Sequence, residues 1–206
     1  MKKVGLFGGS FDPIHFGHLN LAFELMEKCG LDEVWFIPAK INPHKIKAAP
    51  LESNHRLAMV GLAIKDIPQF KVNDIEYHLP TPSYTLHTLQ ALLAQTREKE
   101  CQFYLLLGED SFSGFSQWYK PEEIVKLVPI LVGSRTGEWA NSDQLDIIKG
   151  NENKIRFVKT NLMDISSTDL RLRLSKKLYC GHLIPSEVLS YIHQNKLYHV
   201  RSKSTI

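Results

Sequence analysis

The chain is poor in cysteine and has no long hydrophobic run. Its three cysteines, Cys29, Cys101 and Cys180, are widely spaced and form no CxxC pair. This pattern argues against a disulfide framework and against a structural zinc site. No apolar stretch reaches the roughly 18 residues that a membrane-spanning helix needs, and no hydrophobic signal segment follows the Met1-Lys2-Lys3 start. We therefore expect a cytoplasmic protein with no membrane partner.

A strong excess of charge is also lacking. The formal net charge is +3, and no basic stripe interleaved with aromatic residues is present, which argues against nucleic acid as a partner. A small positive balance is compatible with anionic small molecules. At 206 residues, with 43% apolar and 23% charged residues, we expect a single domain over 1–206 whose polar tail, 200–206, is flexible.

Short apolar runs alternate with segments of helical periodicity. The predicted strands span 3–7, 33–38, 70–72, 102–107, 129–133 and 155–158. Helices are predicted over 17–29, 53–65, 84–99, 121–127, 141–149 and 185–195, with a further helix after Ser166. This alternation predicts an α/β fold, a Rossmann-like, doubly wound and mainly parallel sheet with helices on both faces. The part over about 165–198 is expected to be a small C-terminal helical portion.

The most informative motif follows the first predicted strand. The run from Gly8 to His18 reads Gly-Gly-Ser-Phe-Asp-Pro-Ile-His-Phe-Gly-His. Glycines let a phosphate oxygen approach the backbone N–H groups, and His18 falls at a helix start, where free N–H groups and the helix dipole favour an anion. We expect His15 and His18 to converge on one phosphate, with Gly17 keeping the space between them open. Incidental histidines that cap backbone groups are the alternative.

A second anion site is predicted at a later helix start. Ser166, Ser167 and Thr168 present hydroxyls and free N–H groups, and Arg171 follows one turn later. This group suits the outer phosphates of a triphosphate, with simple helix capping as the alternative. Lys45, in the segment Asn42-Pro43-His44-Lys45 after the second strand, is placed to project a charge toward the same cleft or to remain solvated.

Further candidates follow other predicted strands or begin a helix. Thr85 stands at a helix start, and Trp118 with Tyr119 forms a pair of large rings in a polar stretch. An aromatic face beside free N–H groups suits a pyridine ring that carries a carboxylate, although such pairs more often belong to a core. Asp110 is placed to bind a ribose hydroxyl or to form a turn. Arg135 follows a predicted strand, and its guanidinium is placed to bind a phosphate through two hydrogen bonds or to remain exposed to solvent.

In this order the motifs resemble those of the HxGH nucleotidyltransferases, and in particular the bacterial nicotinate-nucleotide adenylyltransferase family. The resemblance spans residues 4–198 and includes Pro-His-Lys, Pro-Ser-Tyr-Thr, Gly-x-Asp-Ser, Trp-Tyr, Arg-Thr-Gly and Ile-Ser-Ser-Thr. It implies transfer of AMP from ATP to nicotinate mononucleotide, giving deamido-NAD and pyrophosphate in NAD biosynthesis. Ser10 stands where threonine is usual, and Asn42 replaces a proline; neither change removes a chemical group that the mechanism needs.

The resemblance also implies the role of each motif residue. The implied catalytic residues are His15, His18, Lys45 and Arg171. The implied ATP-binding residues are Gly8, Gly9, Ser10, Phe11, His15, His18, Ser166, Ser167, Thr168 and Arg171. The implied mononucleotide-binding residues are Lys45, Thr85, Asp110, Trp118, Tyr119 and Arg135. Mg²⁺ would be carried by ATP, because no carboxylate cage is visible in the sequence. The oligomeric state, monomer or homo-oligomer, stays open.

Two competing hypotheses remain. Adenylyl transfer to nicotinamide mononucleotide or to phosphopantetheine would need a different pocket near Thr85 and Trp118, because a carboxylate requires donors whereas an amide requires an acceptor as well. A nucleotide-binding sensor without catalysis is the second hypothesis. The presence of both motif histidines and of Arg171 argues against it.

Overall fold

The structure is a computed structural model that describes residues 1–43, 51–96, 100–138 and 149–198. Lys45, nearly all of the predicted helix over 141–149 and the tail over 200–206 lie outside the described residues. Within the described ranges, every helix is too short or too polar to traverse a lipid bilayer.

The described strands form one parallel sheet. They are β1 Lys2–Gly9, β2 Glu33–Pro38, β3 Phe70–Val72, β4 Cys101–Gly108, β5 Ile130–Ser134 and β6 Ile155–Lys159. Their order is β3-β2-β1-β4-β5-β6, and each neighbouring pair is parallel. This doubly wound order confirms the predicted Rossmann-like fold. The order reverses between β1 and β4, and the carboxyl ends of these strands are where such folds bind ligands.

Helices cover both faces of the sheet. They are α1 Phe16–Cys29, α2 Ser53–Ile64, α3 Thr85–Gln95, α4 Glu109–Ser113, α5 Pro121–Leu127, α6 Ser167–Ser175 and α7 Ser186–Gln194. In one buried cluster, α1, α2, α6 and α7 pack against the face of the sheet from which Phe7 of β1 projects. A second cluster packs α3, α4 and α5 on the face that Val4 and Leu6 enter. This alternation follows from the two-residue period of a strand with both faces covered.

Element boundaries in the described ranges agree with the sequence to within two residues except at the end of α3. The short helix α4 and two 3₁₀ helices, Ile75–Tyr77 and Phe115–Gln117, were not predicted. The predicted helix over 84–99 is wrong at its end, because Thr96 is extended with ψ 129° and α3 ends at Gln95. The sequence did not predict α4, because Glu109–Ser113 is short, mostly polar and preceded by a glycine, a pattern typical of a loop. Gly30 ends α1 in the left-handed conformation, with φ 61°, which glycine adopts without steric cost.

Candidate active site

The carboxyl ends of β1, β2, β4 and β5 open into one cavity of about 690 Å³. Its walls come from the loops after these strands and from the starts of α3 and α6. Apart from Arg171, every predicted site residue in the described part of the chain lines it, namely Gly8, Gly9, Ser10, Phe11, His15, His18, Thr85, Asp110, Trp118, Tyr119, Arg135, Ser166, Ser167 and Thr168. The fold therefore brings together side chains up to 160 residues apart in sequence.

The two motif histidines lie against each other at the start of α1. His15 is the N-cap, and its backbone N–H donates to Nδ1 of His18 at 3.3 Å. The imidazole rings stack with their centroids 3.7 Å apart. Because Nδ1 of His18 accepts this hydrogen bond, the neutral ring carries its proton on Nε2. His18 is thereby set to act as a donor through Nε2, at the positive end of the helix dipole.

His15 is a buried, neutral imidazole. It is 4% exposed, and burial lowers its pKa from 6.5 to about 4. Its Nδ1 is buried without a hydrogen-bond partner among the described residues. A Cβ at Gly17 would lie 3.0 Å from this Nδ1. The expectation that Gly17 separates the two imidazoles is therefore wrong: the rings touch, and the glycine makes room for the edge of His15.

Phe11 forms an aromatic support for His18. Its ring is 1% exposed and meets the His18 ring edge to face, with centroids 5.1 Å apart. Phe11 has a φ of 47°, a left-handed conformation that is uncommon for a bulky residue. A Cβ at Gly9 would lie 2.9 Å from Cζ of Phe11. The glycine at position 9 is thus required by the aromatic packing behind the cavity wall.

The loop from Ser10 to Pro13 is held by side chains from distant parts of the chain. Three of them donate to its carbonyls: Nη1 of Arg56 to Ser10 at 2.8 Å, Nη1 of Arg171 to Asp12 at 2.8 Å, and Oγ of Ser167 to Pro13 at 3.0 Å. The C=O and N–H groups of a trans peptide point in opposite directions. The Ser10 carbonyl that faces Arg56 therefore directs the Phe11 N–H away from that guanidinium.

Arg56 is a buried residue behind the cavity that the sequence motifs did not single out. It is 2% exposed, and besides Ser10 it donates to the carbonyls of Lys40 and Leu51, each at 3.0 Å. One guanidinium thus joins the loops after β1 and β2 to the segment before α2. A sequence signal existed, because Arg56 lies three and four residues before the buried Met59 and Val60, on the apolar face of its helix.

Glu76 is a second missed residue. It lines the cavity at 7% exposure, and its Oε1 accepts from the Thr88 hydroxyl at 2.8 Å. Burial raises the pKa of this carboxyl, against the opposing effect of its hydrogen bonds and of the nearby Arg56 charge. Since Thr88 is in the first turn of α3, the contact fixes the start of the helix that carries Thr85.

The predicted mononucleotide-binding side chains cluster on the β4 side of the cavity. Thr85 is the first residue of α3, and the N-cap is Tyr84. Tyr119 is 42% exposed, and its ring lies 4.8 Å from that of Tyr84. Trp118 is half-buried, and Asp110 lies in the first turn of α4. Arg135 is exposed at the cavity wall beyond β5.

The second predicted anion site is built differently from the expectation. Oγ of Ser166 caps α6 by accepting from the Asp169 N–H at 3.2 Å. Arg171 does not line the cavity; besides the Asp12 carbonyl, its guanidinium donates to Oγ1 of Thr168 at 3.1 Å. In this structure Arg171 therefore supports the loop from Ser10 to Pro13 from behind, while Ser166, Ser167 and Thr168 form part of the cavity wall.

Comparisons with known proteins agree with the geometry. Residues 6–173 match the family model described as Cytidylyltransferase-like, which makes the class of the chain a nucleotidyltransferase. A nicotinate-nucleotide adenylyltransferase of Bacillus subtilis is 35% identical over 198 residues, covering 96% of this chain and 99% of that protein. A probable nicotinate-nucleotide adenylyltransferase of Carboxydothermus hydrogenoformans is 40% identical over 199 residues, covering 95% of this chain and 98% of that protein. The chain belongs to the nicotinate-nucleotide adenylyltransferase family, as its motifs predicted.

A solved structure has the same fold. It is the Plasmodium falciparum nicotinic acid mononucleotide adenylyltransferase complexed with NaAD, with a TM-score of 0.75 and 23% identity. The match covers 96% of this chain and 98% of that chain. Its fold extends over the helices after β6, so the C-terminal helical portion is part of the shared architecture.

Proposed function

We propose that this enzyme transfers AMP from ATP to nicotinate mononucleotide, giving deamido-NAD and pyrophosphate. The observation that carries the proposal is the shared cavity, which joins the His15–His18 pair to Thr85, Trp118 and Tyr119 within one space. The family membership of the chain supports the same reaction.

The triphosphate occupies the part of the cavity between β1 and α6. Phosphate oxygens lie against the backbone from Gly8 to Phe11 and against the hydroxyls at the start of α6. The Nε2–H of His18 donates to an oxygen of the α-phosphate, where charge increases in the transition state. His15, which stays neutral above about pH 4, keeps the His18 ring in place by stacking. Lys45 and Arg171 remain proposed ligands of the outer phosphates, Arg171 after exchanging its present partners.

The acceptor enters from the β4 side. Its pyridine ring lies against Trp118 and Tyr119, and its carboxylate accepts hydrogen bonds at the start of α3 near Thr85. Asp110 binds a ribose hydroxyl, and Arg135 binds the mononucleotide phosphate. The two substrates thus meet beside β1, with the acceptor phosphate facing the α-phosphate.

The reaction is a displacement in line at the α-phosphorus. An ionised oxygen of the mononucleotide phosphate forms the new P–O bond. The bond to the β-phosphate bridging oxygen breaks, and its electron pair leaves with pyrophosphate. Because the attacking oxygen is already ionised, the step requires no general base. Because the displacement is direct, it forms no covalent enzyme intermediate. Residues of this chain orient the two substrates and donate hydrogen bonds that strengthen as charge moves to the leaving group.

Mg²⁺ enters with ATP as part of the substrate. Among residues 1–43, 51–96, 100–138 and 149–198, no cluster of three His, Cys, Asp or Glu side chains has the geometry to hold a metal ion. We therefore treat the metal as part of the substrate and assign the described residues no metal-dependent step. We further propose a cytoplasmic enzyme, monomeric or homo-oligomeric. The free thiols of Cys29, Cys101 and Cys180 are compatible with a reducing compartment.

The test is a parallel measurement of pyrophosphate release from ATP and Mg²⁺ with nicotinate mononucleotide, nicotinamide mononucleotide and phosphopantetheine. We expect kcat/KM for the nicotinate acceptor to exceed that for the amide by at least about a hundredfold, because donors placed for a carboxylate leave an amide badly matched. Equal rates with both mononucleotides would overturn the assigned pocket. Turnover of phosphopantetheine alone, or of none of the three, would overturn the proposed function.

A further inference from the structure

Tyr198, the last residue of the described ranges, forms a hydrogen bond with the loop from Ser10 to Pro13, which we call the phosphate-handling loop. The hydroxyl of Tyr198 donates to Oδ1 of Asp12 at 2.7 Å, across 186 positions of sequence. Asp12 is 6% exposed. Burial, together with the adjacent carboxylate, raises the pKa of Tyr198, so its hydroxyl stays protonated and acts as the donor. A buried carboxylate that lost this donor would be left undersatisfied.

Tyr198 adopts a costly conformation to make this contact. Its φ is 63°, and that of Lys196, two residues earlier, is 52°. Left-handed φ values are uncommon for residues other than glycine, and for an aromatic side chain they cost free energy that surrounding contacts must offset. Surrounding contacts therefore hold the turn at Tyr198 in place, and the Tyr198 hydroxyl points at Asp12.

Asp12 joins the contacts that fix the phosphate-handling loop. Its carbonyl accepts from Arg171 at 2.8 Å, and its Oδ2 accepts from the Leu51 N–H at 3.5 Å. Asp12 lies directly after Phe11, whose ring supports His18. Neither Asp12 nor Tyr198 lines the cavity. Any effect of Tyr198 on the reaction must therefore pass through the loop.

We propose that Tyr198 is a positioning residue for ATP: its hydrogen bond to Asp12 holds the loop from Ser10 to Pro13 in the shape that binds the triphosphate. The inference rests on the proposed function, since it assumes that this loop meets ATP. It assigns Tyr198 no contact with either substrate. The residue acts on ATP binding and leaves the acceptor pocket unchanged.

The matched control is Tyr191, which lies seven residues earlier and bonds away from the site. Its hydroxyl pairs with Nδ1 of His55 at 2.9 Å, between α7 and α2. Tyr198→Phe and Tyr191→Phe each remove one hydroxyl and one hydrogen bond of similar length. Only the first removes a contact to the loop. A purely structural role for Tyr198 predicts the same behaviour from both variants.

The experiment measures kcat and both KM values for the unsubstituted enzyme and for the two Phe variants. We expect Tyr198→Phe to raise KM for ATP about fivefold or more and to leave KM for nicotinate mononucleotide within about twofold, whereas Tyr191→Phe changes neither. Equal KM values for ATP in the two variants, or parallel rises in both KM values, would overturn the inference. Absence of turnover in the unsubstituted enzyme would instead overturn the proposed function.

A second measurement distinguishes a local change in the loop from a general loss of stability in Tyr198→Phe. Amide hydrogen exchange under native conditions reports local opening of the loop separately from global unfolding. We expect faster exchange in Tyr198→Phe only at Leu51, whose N–H donates to Oδ2 of Asp12, and at His15, whose N–H donates to Nδ1 of His18. A rise spread evenly over the sheet and helices would show that the hydroxyl serves stability alone, and the inference would be wrong.

Discussion

The buried imidazole of His15 makes stability depend on pH in a way that one substitution can isolate. Above pH 6.5 the ring is neutral in both the folded and the unfolded chain. As the pH falls below 6.5, the unfolded imidazole takes up a proton that the folded one, with a pKa of about 4, does not. The free energy of unfolding therefore falls between pH 6.5 and 4. At pH 5.0 the loss due to His15 is about 2 kcal/mol, from about 1.4 kcal/mol per pH unit.

His15→Asn removes this titration and keeps a polar side chain at the N-cap. We expect urea unfolding to show a drop in stability between pH 7.5 and pH 5.0 that is smaller in His15→Asn than in the unsubstituted chain by about 2 kcal/mol. The control is His78→Asn, because the His78 side chain is 71% exposed. That variant should keep the full drop.

A direct titration checks the same reasoning. The His15 resonances in a histidine-detected NMR experiment should change with a midpoint near pH 4. If His15→Asn loses as much stability on acidification as the unsubstituted chain, or if the His15 midpoint lies near 6.5, the inferred effect of burial on this ring is refuted.

Three further substitutions test the site. His18→Ala should leave folding intact and lower kcat by at least about a hundredfold, the scale for losing one transition-state donor; near-normal turnover would refute its role. Gly17→Ala places a Cβ 3.0 Å from the preceding histidine ring and should lower kcat by about tenfold, whereas Gly61→Ala, where a Cβ meets nothing within 4 Å, should leave kcat unchanged. Thr88→Val removes the donor to Glu76 and should lower the free energy of unfolding in urea by about 1–3 kcal/mol; a change near zero would show that this bond is dispensable.

The sheet and the main motifs are readable from local pattern. Apolar runs with both faces buried mark β1 and β4, and the glycine pair at the end of β1 marks the turn that leads to the histidine motif. Local patterns report which face of an element is apolar and which loops follow strands. These signals are sufficient to place His15, His18 and Thr85 at one edge of the sheet.

The support behind the cavity could not be read in the same way. Glu76 is a charged residue, and such residues are usually exposed, so a local reading assigns it to solvent. The position of Arg56 on the apolar face of its helix indicates burial but does not identify its partners. The burial of both residues depends on carbonyls and hydroxyls that arrive from other elements. The position of Arg171 likewise depends on Asp12, a partner 159 residues away, and sequence spacing within its own helix contains no information about that contact.

The contacts that hold the loop from Ser10 to Pro13 also set an order of events during synthesis. The loop is synthesised before Ser167, Arg171 and Tyr198, which lie in the last part of the described chain. Chains emerge from the ribosome N-terminus first, and helices near the start can form early. The support of this loop, however, cannot be complete until the helices α6 and α7 have been released and have packed. An interrupted translation product would therefore contain the full histidine motif and still lack the contacts that hold the loop beside it.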